Sequence, residues 1–232
     1  MIGLASLILA TIAFVGSHFL LSHTFRLKLI GAVGELRFTL LYSLVAVATL
    51  LWVAFAWRAL DDETLIWMAP DWWWTIATFI MLFASILLIG SFFRNPAFPH
   101  PGAARKARKA TGVFAITRHP MNWSFALWAL VHLTVQVSLR NIVVDSGILI
   151  LAIFGSIGQD RKKERAMGPA WVQWEAKTSF IPFAALLTGR ARWRDLAPAW
   201  SAALAGLIFW LGFLPFHAPG ASPLVWLWMS YH

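Results

Sequence analysis

The chain has 232 residues, of which 59% are hydrophobic and only 12% charged, with a mean hydropathy of +0.69. A water-soluble domain carries about 25% charged residues, so a soluble enzyme or nucleic-acid-binding module is excluded and a single membrane-embedded bundle over 1–232 is expected. The formal charge of +9 then belongs to membrane topology, not to nucleic acid, and the absence of cysteine excludes disulfides, thiolate metal sites and a thiol nucleophile.

The first apolar run, 2–24, has no basic leader and no small-residue cleavage site, and reads as a retained transmembrane helix. Within it, in GSHFLLSH, His18 shares a helical face with Thr11, Phe14 and Ser22. Further runs near the roughly 20 residues that a bilayer requires lie at 36–57, 73–93, 120–138, 142–158 and 198–215. The fifth is polar at both ends, with Asn141 and Asp145 at its start and Ser156 and Gly158 at its close. With the N-terminus outside, every Lys and Arg except Arg58 and Arg140 falls on the cytoplasmic side, as the positive-inside rule requires. The loop 96–110 is proline-rich and then basic, suited to anionic headgroups. The tail piece 224–229, LVWLWM, reads as interfacial.

The stretch 111–134 carries two polar features in series. Arg118-His119-Pro120 opens the fourth helix, with proline at its first position. A helix N-terminus beside an arginine fork can receive an anion such as a lipid phosphate, a propionate or a cofactor carboxylate; an arginine snorkelling to headgroups is the alternative. Deeper in the helix, His132 shares a face with Asn122, Phe125 and Ala129. Of the other histidines, His100, His217 and His232 fall in loop or tail positions, and His23 at the inner end of the first span. Two intramembrane imidazoles suit a haem, a zinc or copper ion, or plain hydrogen bonds to a neighbouring helix. At 1.5 Å per residue, His18 lies about 9 Å from the inner end of its span and His132 about 18 Å from Pro120, a depth difference of about 9 Å. After the fifth span, 158–186 reads as an amphipathic helix on the inner surface, bearing Trp171 and Trp174, followed by an apolar dip at Pro182. Its cytoplasmic position would let it share a pocket with the Arg-His-Pro turn.

TRHPMNWSFALWALVHLT, DRKKERAMGPAWVQWEAKTSFIPFAALLTGR and SHFLLSHTFRLKLIGAVGELRFTLLYSLVAVATLLW together resemble the NnrU family, over most of the chain to about residue 194. The family includes the 15-cis-ζ-carotene isomerases. The resemblance implies haem b ligated by His18 and His132; Arg118 and His119 would then receive a propionate or support the second helix, with Asn122, Ala129 and Trp171 expected at the cofactor site. It also implies, as the main reading, a redox- or nitric-oxide-linked role supporting denitrification in a bacterial inner membrane, with cis–trans isomerisation of an apolar polyene as the alternative. Where the isomerase has a cysteine one turn before its second histidine, Ala129 stands here, so a thiolate-for-imidazole exchange has no ligand. A more distant likeness is to isoprenylcysteine carboxyl and phospholipid methyltransferases. In it Gln159-Asp160 occupies the place of a Glu-Glu pair, and Trp171 and Trp174 the place of two tyrosines. S-adenosylmethionine-dependent methyl transfer and a non-catalytic assembly role are the competing readings. The expected architecture is an all-α integral membrane protein of about six transmembrane helices, N-terminus outside, with a cytoplasmic interfacial helix.

Overall fold

The computed structural model describes residues 2–60, 65–93, 95–96 and 110–216. His100, His217, His232, the basic run 105–109 and the tail piece 224–229 lie outside the described residues. Helix dominates. α1 (Ile2–Phe19) passes into a π-helical turn (Leu20–Thr24), then α2 (Arg26–Val33) and α3 (Glu35–Arg58). A two-residue strand β1 (Trp67–Met68) precedes α4 (Asp71–Ser91), and a short α5 (Val113–Ile116) precedes α6 (Pro120–Val135). Strand β2 (Gln136–Val137) leads into α7 (Leu139–Met167) and α8 (Pro169–Lys177). The short α9 (Ala184–Leu187), a 3₁₀ segment (Trp193–Ala199) and α10 (Trp200–Phe213) follow.

Four of these helices are long and apolar enough to cross a membrane: Gly3–Thr24, Glu35–Arg58, Asp71–Ser91 and Leu139–Met167. Three match the expected spans closely. The fifth expected span is longer than 142–158, because the charged run that follows it consists of good helix formers and the helix continues to Met167. It stops at Gly168, whose φ of +52° is reached without the steric cost a side chain would bring. The run 158–167 is therefore the end of α7, and the separate surface helix begins only at Pro169. The two remaining expected spans are short. α6 ends at Val135 because Gln136 and Val137 pair antiparallel with Met68 and Trp67. Its 16 residues, and the 14 of α10, fall below the length of about 20 that spans a bilayer unaided.

The described residues form two compact units. The first holds 1–68 and 132–155. In it α1 and α3 form an antiparallel hairpin, tied by the Trp52 indole N–H donating to Ser6 Oγ at 3.4 Å. Leu7, Ala10, Val53 and Ala56 make its core, with Val143 and Val144 of α7 against them. The second unit holds 69–131 and 156–232. In it α4 packs on α10, and Leu87, Val113, Phe114, Ile116, Trp171 and Trp174 form a common core.

Candidate functional site

In the second unit the Arg-His-Pro turn is the centre of a buried polar network. Residues 179–183 run beside it and supply its backbone partners. Arg118 N–H donates to Ser179 O at 2.9 Å, Phe183 N–H to Ile116 O at 2.8 Å, and Thr117 Oγ1 to Phe180 O at 2.7 Å. The Trp123 indole donates to the same Phe180 carbonyl at 2.7 Å. Phe183 is held at a φ of +65°, a conformation that costs a non-glycine residue about 1–3 kcal/mol; its ring stacks on Phe83, centroids 5.6 Å apart.

Arg118 reaches back to α7. Its Nε and Nη2 both donate to Asp160 Oδ2, at 2.9 and 2.7 Å, and Nη2 lies 3.5 Å from Glu175 Oε1 on α8. His119, 2% exposed, sets Nδ1 3.1 Å from Gln159 Oε1 and Nε2 2.9 Å from Asp160 Oδ1. The second approach is at ion-pair distance but lacks hydrogen-bond geometry. Burial pushes the Glu175 carboxyl above its ordinary value; the Arg118 charge opposes this, while Asp160 and Glu164 add to it. Asn122 donates to Ser156 Oγ at 2.8 Å, and Ala129 and Trp171 are fully enclosed. The network thus gathers Arg118, His119 and Asn122 as the sequence suggests. The partners of Arg118, however, are two of the chain's own carboxylates, and its side chain is only 14% exposed. Trp171 and Trp174 are packed in the core instead of lying along a membrane surface.

The first unit carries the imidazoles of His18 and His132. His18 Nδ1 lies 2.7 Å from Phe14 O. A carbonyl only accepts, so Nδ1 donates here, and in a neutral imidazole this leaves the Nε2 lone pair available to a metal. Its ring meets Phe14 at 4.5 Å and Tyr42 of α3 edge-on at 5.6 Å. The π turn that follows holds Ser22 and His23, and such turns recur at functional sites. His132 sits half-buried in the last turn of α6.

Helix rise relates the two depths. α7 runs in the same direction as α1, since Val143 and Val144 meet the core at Leu7 and Ala10, and Gly147 meets Thr11 and Val15. His18 is seven residues beyond Thr11, whereas His132 is three residues from the end of α6, beside the start of α7. The two imidazoles therefore stand at different levels along the helix axes. Among the described residues no group of three or more His, Cys, Asp or Glu is placed to hold a metal ion.

Asp145 was legible in the sequence only as an irregularity of the fifth span. It is 2% exposed, and its Oδ2 has no hydrogen-bond partner among the described residues. A carboxyl so placed within a membrane helix marks function by default. It lies six residues into α7, within about one helical turn of the level of His132.

Long apolar helices, a salt-bridged network and imidazoles and a carboxyl within the helices define a multi-helix membrane protein with polar sites set into apolar surroundings. The chain belongs to the family of NnrU proteins, whose model matches residues 6–222. It is also similar to two plant proteins, each a chloroplastic 15-cis-zeta-carotene isomerase. The Zea mays protein is 30% identical over 82 residues, 35% of this chain, and the Arabidopsis thaliana protein 34% identical over 83 residues, 34% of this chain. The matched part spans 22% of the length of each. No solved structure matches the chain.

Proposed function

We propose that this chain is a membrane-embedded cis–trans isomerase of an apolar polyene. The observation that carries this reading is the likeness to two proteins named as carotene isomerases within a family that covers almost the whole chain. Two features of the first unit accord with it. A polyene partitions into hydrocarbon, and α1 and α3 expose long apolar faces to it, including Leu9, Ile12, Leu40, Leu44 and Phe55. Polar groups able to act on such a substrate stand within the apolar helices: His18, His132 and Asp145.

Haem b is proposed as a cofactor at His18, whose Nε2 lone pair would be the ligand. When bound it would supply one-electron chemistry, which loosens a double bond to rotation. Phe14 fixes the ligand tautomer through its carbonyl, and Tyr42 packs edge-on against the ring. Ala129, in place of a cysteine, leaves this chain no thiolate for ligand exchange. Six crossings, an outside N-terminus and a bacterial inner membrane complete the proposal, supported by the Lys and Arg distribution.

The test is expression in cells that accumulate 15-cis-ζ-carotene. Conversion to the 9,9′-di-cis isomer, lost in His18→Ala, is the expected result; no conversion by the folded wild-type protein removes the isomerase reading. Oxidised and dithionite-reduced spectra test the cofactor separately. A Soret band lost in His18→Ala and kept in His132→Ala fits single ligation. Loss in both restores the opposed pair, and a colourless protein from haem-replete cells removes haem. Methyl transfer and a nitric-oxide ligand gain nothing from the geometry: Gln159 and Asp160 are engaged by His119 and Arg118.

A further inference from the structure

A second polar site lies in the same unit as the Arg118 network, between the C-terminal end of α8 and the 3₁₀ segment that leads into α10. Lys177, Arg190, Arg192, Arg194 and Asp195 line an open cavity there, of about 610 Å³, with Ala110 and Ala191. Ligand cavities typically measure about 300–1,000 Å³, so there is room for a headgroup. Four cations face one carboxylate. Asp195 is also partly committed, because its Oδ2 accepts the backbone N–H of Arg192 at 3.2 Å and its carbonyl accepts that of Gly112 at 2.9 Å.

Arg190 is held in place within this lining. Its Nη1 donates to Thr178 O at 2.9 Å and its Nε to Thr188 Oγ1 at 3.1 Å. The guanidinium is thereby oriented before any ligand arrives, which lowers the ordering cost of binding. The other cations are exposed. Close to them in sequence are large exposed apolar side chains: Leu187 at 76%, Trp193 at 59% and Trp200 at 81%. Tryptophan concentrates at the level of lipid headgroups, and α10, an apolar helix, starts at Trp200. A cationic cavity whose chain neighbours are exposed tryptophans and the start of an apolar helix matches one ligand chemistry, a phosphodiester tethered to acyl chains.

We propose that this cavity binds the phosphate headgroup of an anionic glycerophospholipid. The four cations hold the phosphate oxygens, while Leu187, Trp193 and Trp200 lie against the glycerol and upper acyl chains. The site is separate from the Arg118 network and does not depend on the isomerase reading.

Lys177 and Arg194 are exposed and make no side-chain hydrogen bond among the described residues, so their removal leaves the fold intact. The full chain in detergent is titrated with phosphatidylglycerol and, separately, phosphatidylcholine, and the lipid-bound species are counted by native mass spectrometry. The wild type is expected to prefer phosphatidylglycerol. Each cation near an anionic lipid surface is worth about 1 kcal/mol, or about fivefold in affinity, so Lys177→Gln with Arg194→Gln should weaken phosphatidylglycerol by about 25-fold and leave phosphatidylcholine unchanged. Arg161→Gln with Arg165→Gln removes the same charge from exposed positions on α7 and should leave phosphatidylglycerol binding within about twofold. An equal loss in this control would reduce the effect to a diffuse field and overturn the site. Inorganic phosphate that displaces the lipid at matched concentration would instead mark a soluble-anion site, and also overturns the proposal.

Discussion

Asp160 illustrates how much one side chain can decide here. It accepts two hydrogen bonds from Arg118 and stands at 2.9 Å from His119 Nε2, with only 13% of its side chain exposed. Removing one partner of a buried pair leaves the other charge uncompensated, at a cost of about 3–5 kcal/mol. Glu175 still faces Arg118, so Asp160→Asn is expected to lower stability by less than that, about 1–3 kcal/mol, read as a reduced melting temperature in detergent. Glu175 offers a pH signature with a definite sign. Its carboxyl is raised above 4.5 chiefly by burial, so folding favours its protonated form. Its contribution to stability is full below the unfolded value and is lost as pH rises through the raised folded value. Glu175→Gln should match the wild type at low pH and become the more stable of the two as pH climbs past 4.5; unfolding midpoints across a pH series check this. Asp145 behaves in the opposite sense to Asp160, since its Oδ2 has no described partner to orphan. Asp145→Leu should keep or raise the melting temperature, and any loss of isomerisation in that variant would be functional and not structural.

Helix contacts set the next level of constraint. On α10 a Cβ at Gly206 would come within 2.7 Å of the Ile86 Cα on α4, and backbone cannot step aside. Gly206→Ala is expected to cost about 1–3 kcal/mol through overpacking. Gly212→Ala on the same helix meets nothing within 4 Å and should be neutral or mildly stabilising by helix propensity. Paired thermal melts of the two variants separate contact from propensity. Element boundaries were legible where hydropathy changes sharply, as at α3 and α4. They were not legible at α6, whose apolar pattern continues past Val135 while Gln136 and Val137 pair with β1. Trp171 and Trp174 mislead for a related reason. Three residues apart on a charged helix they look interfacial, but α8 turns that face onto Val113, Phe114 and Ile116.

At the scale of the molecule, the charge distribution and the helices lead to one topological expectation. With no native cysteine, Ile66→Cys and Thr188→Cys are clean reporters at exposed positions. A membrane-impermeant maleimide added to intact cells should label Ile66→Cys alone, and labelling of Thr188→Cys would reverse the orientation. Composition and hydropathy alone determined that this is a helical membrane protein, because burying so many apolar residues without a bilayer would leave a chain of this length with too little polar surface. The Arg-His-Pro turn and the two intramembrane histidines were equally visible, since ionisable residues stand out against apolar runs. Only the tertiary structure decided what each of them meets. It gave Arg118 the carboxylates of Asp160 and Glu175, set His18 and His132 at different levels, and buried Asp145. Those outcomes depend on the rotation and relative depth of neighbouring helices, fixed by close contacts such as Gly147 on Thr11, and a one-dimensional pattern of apolar residues carries no measure of either.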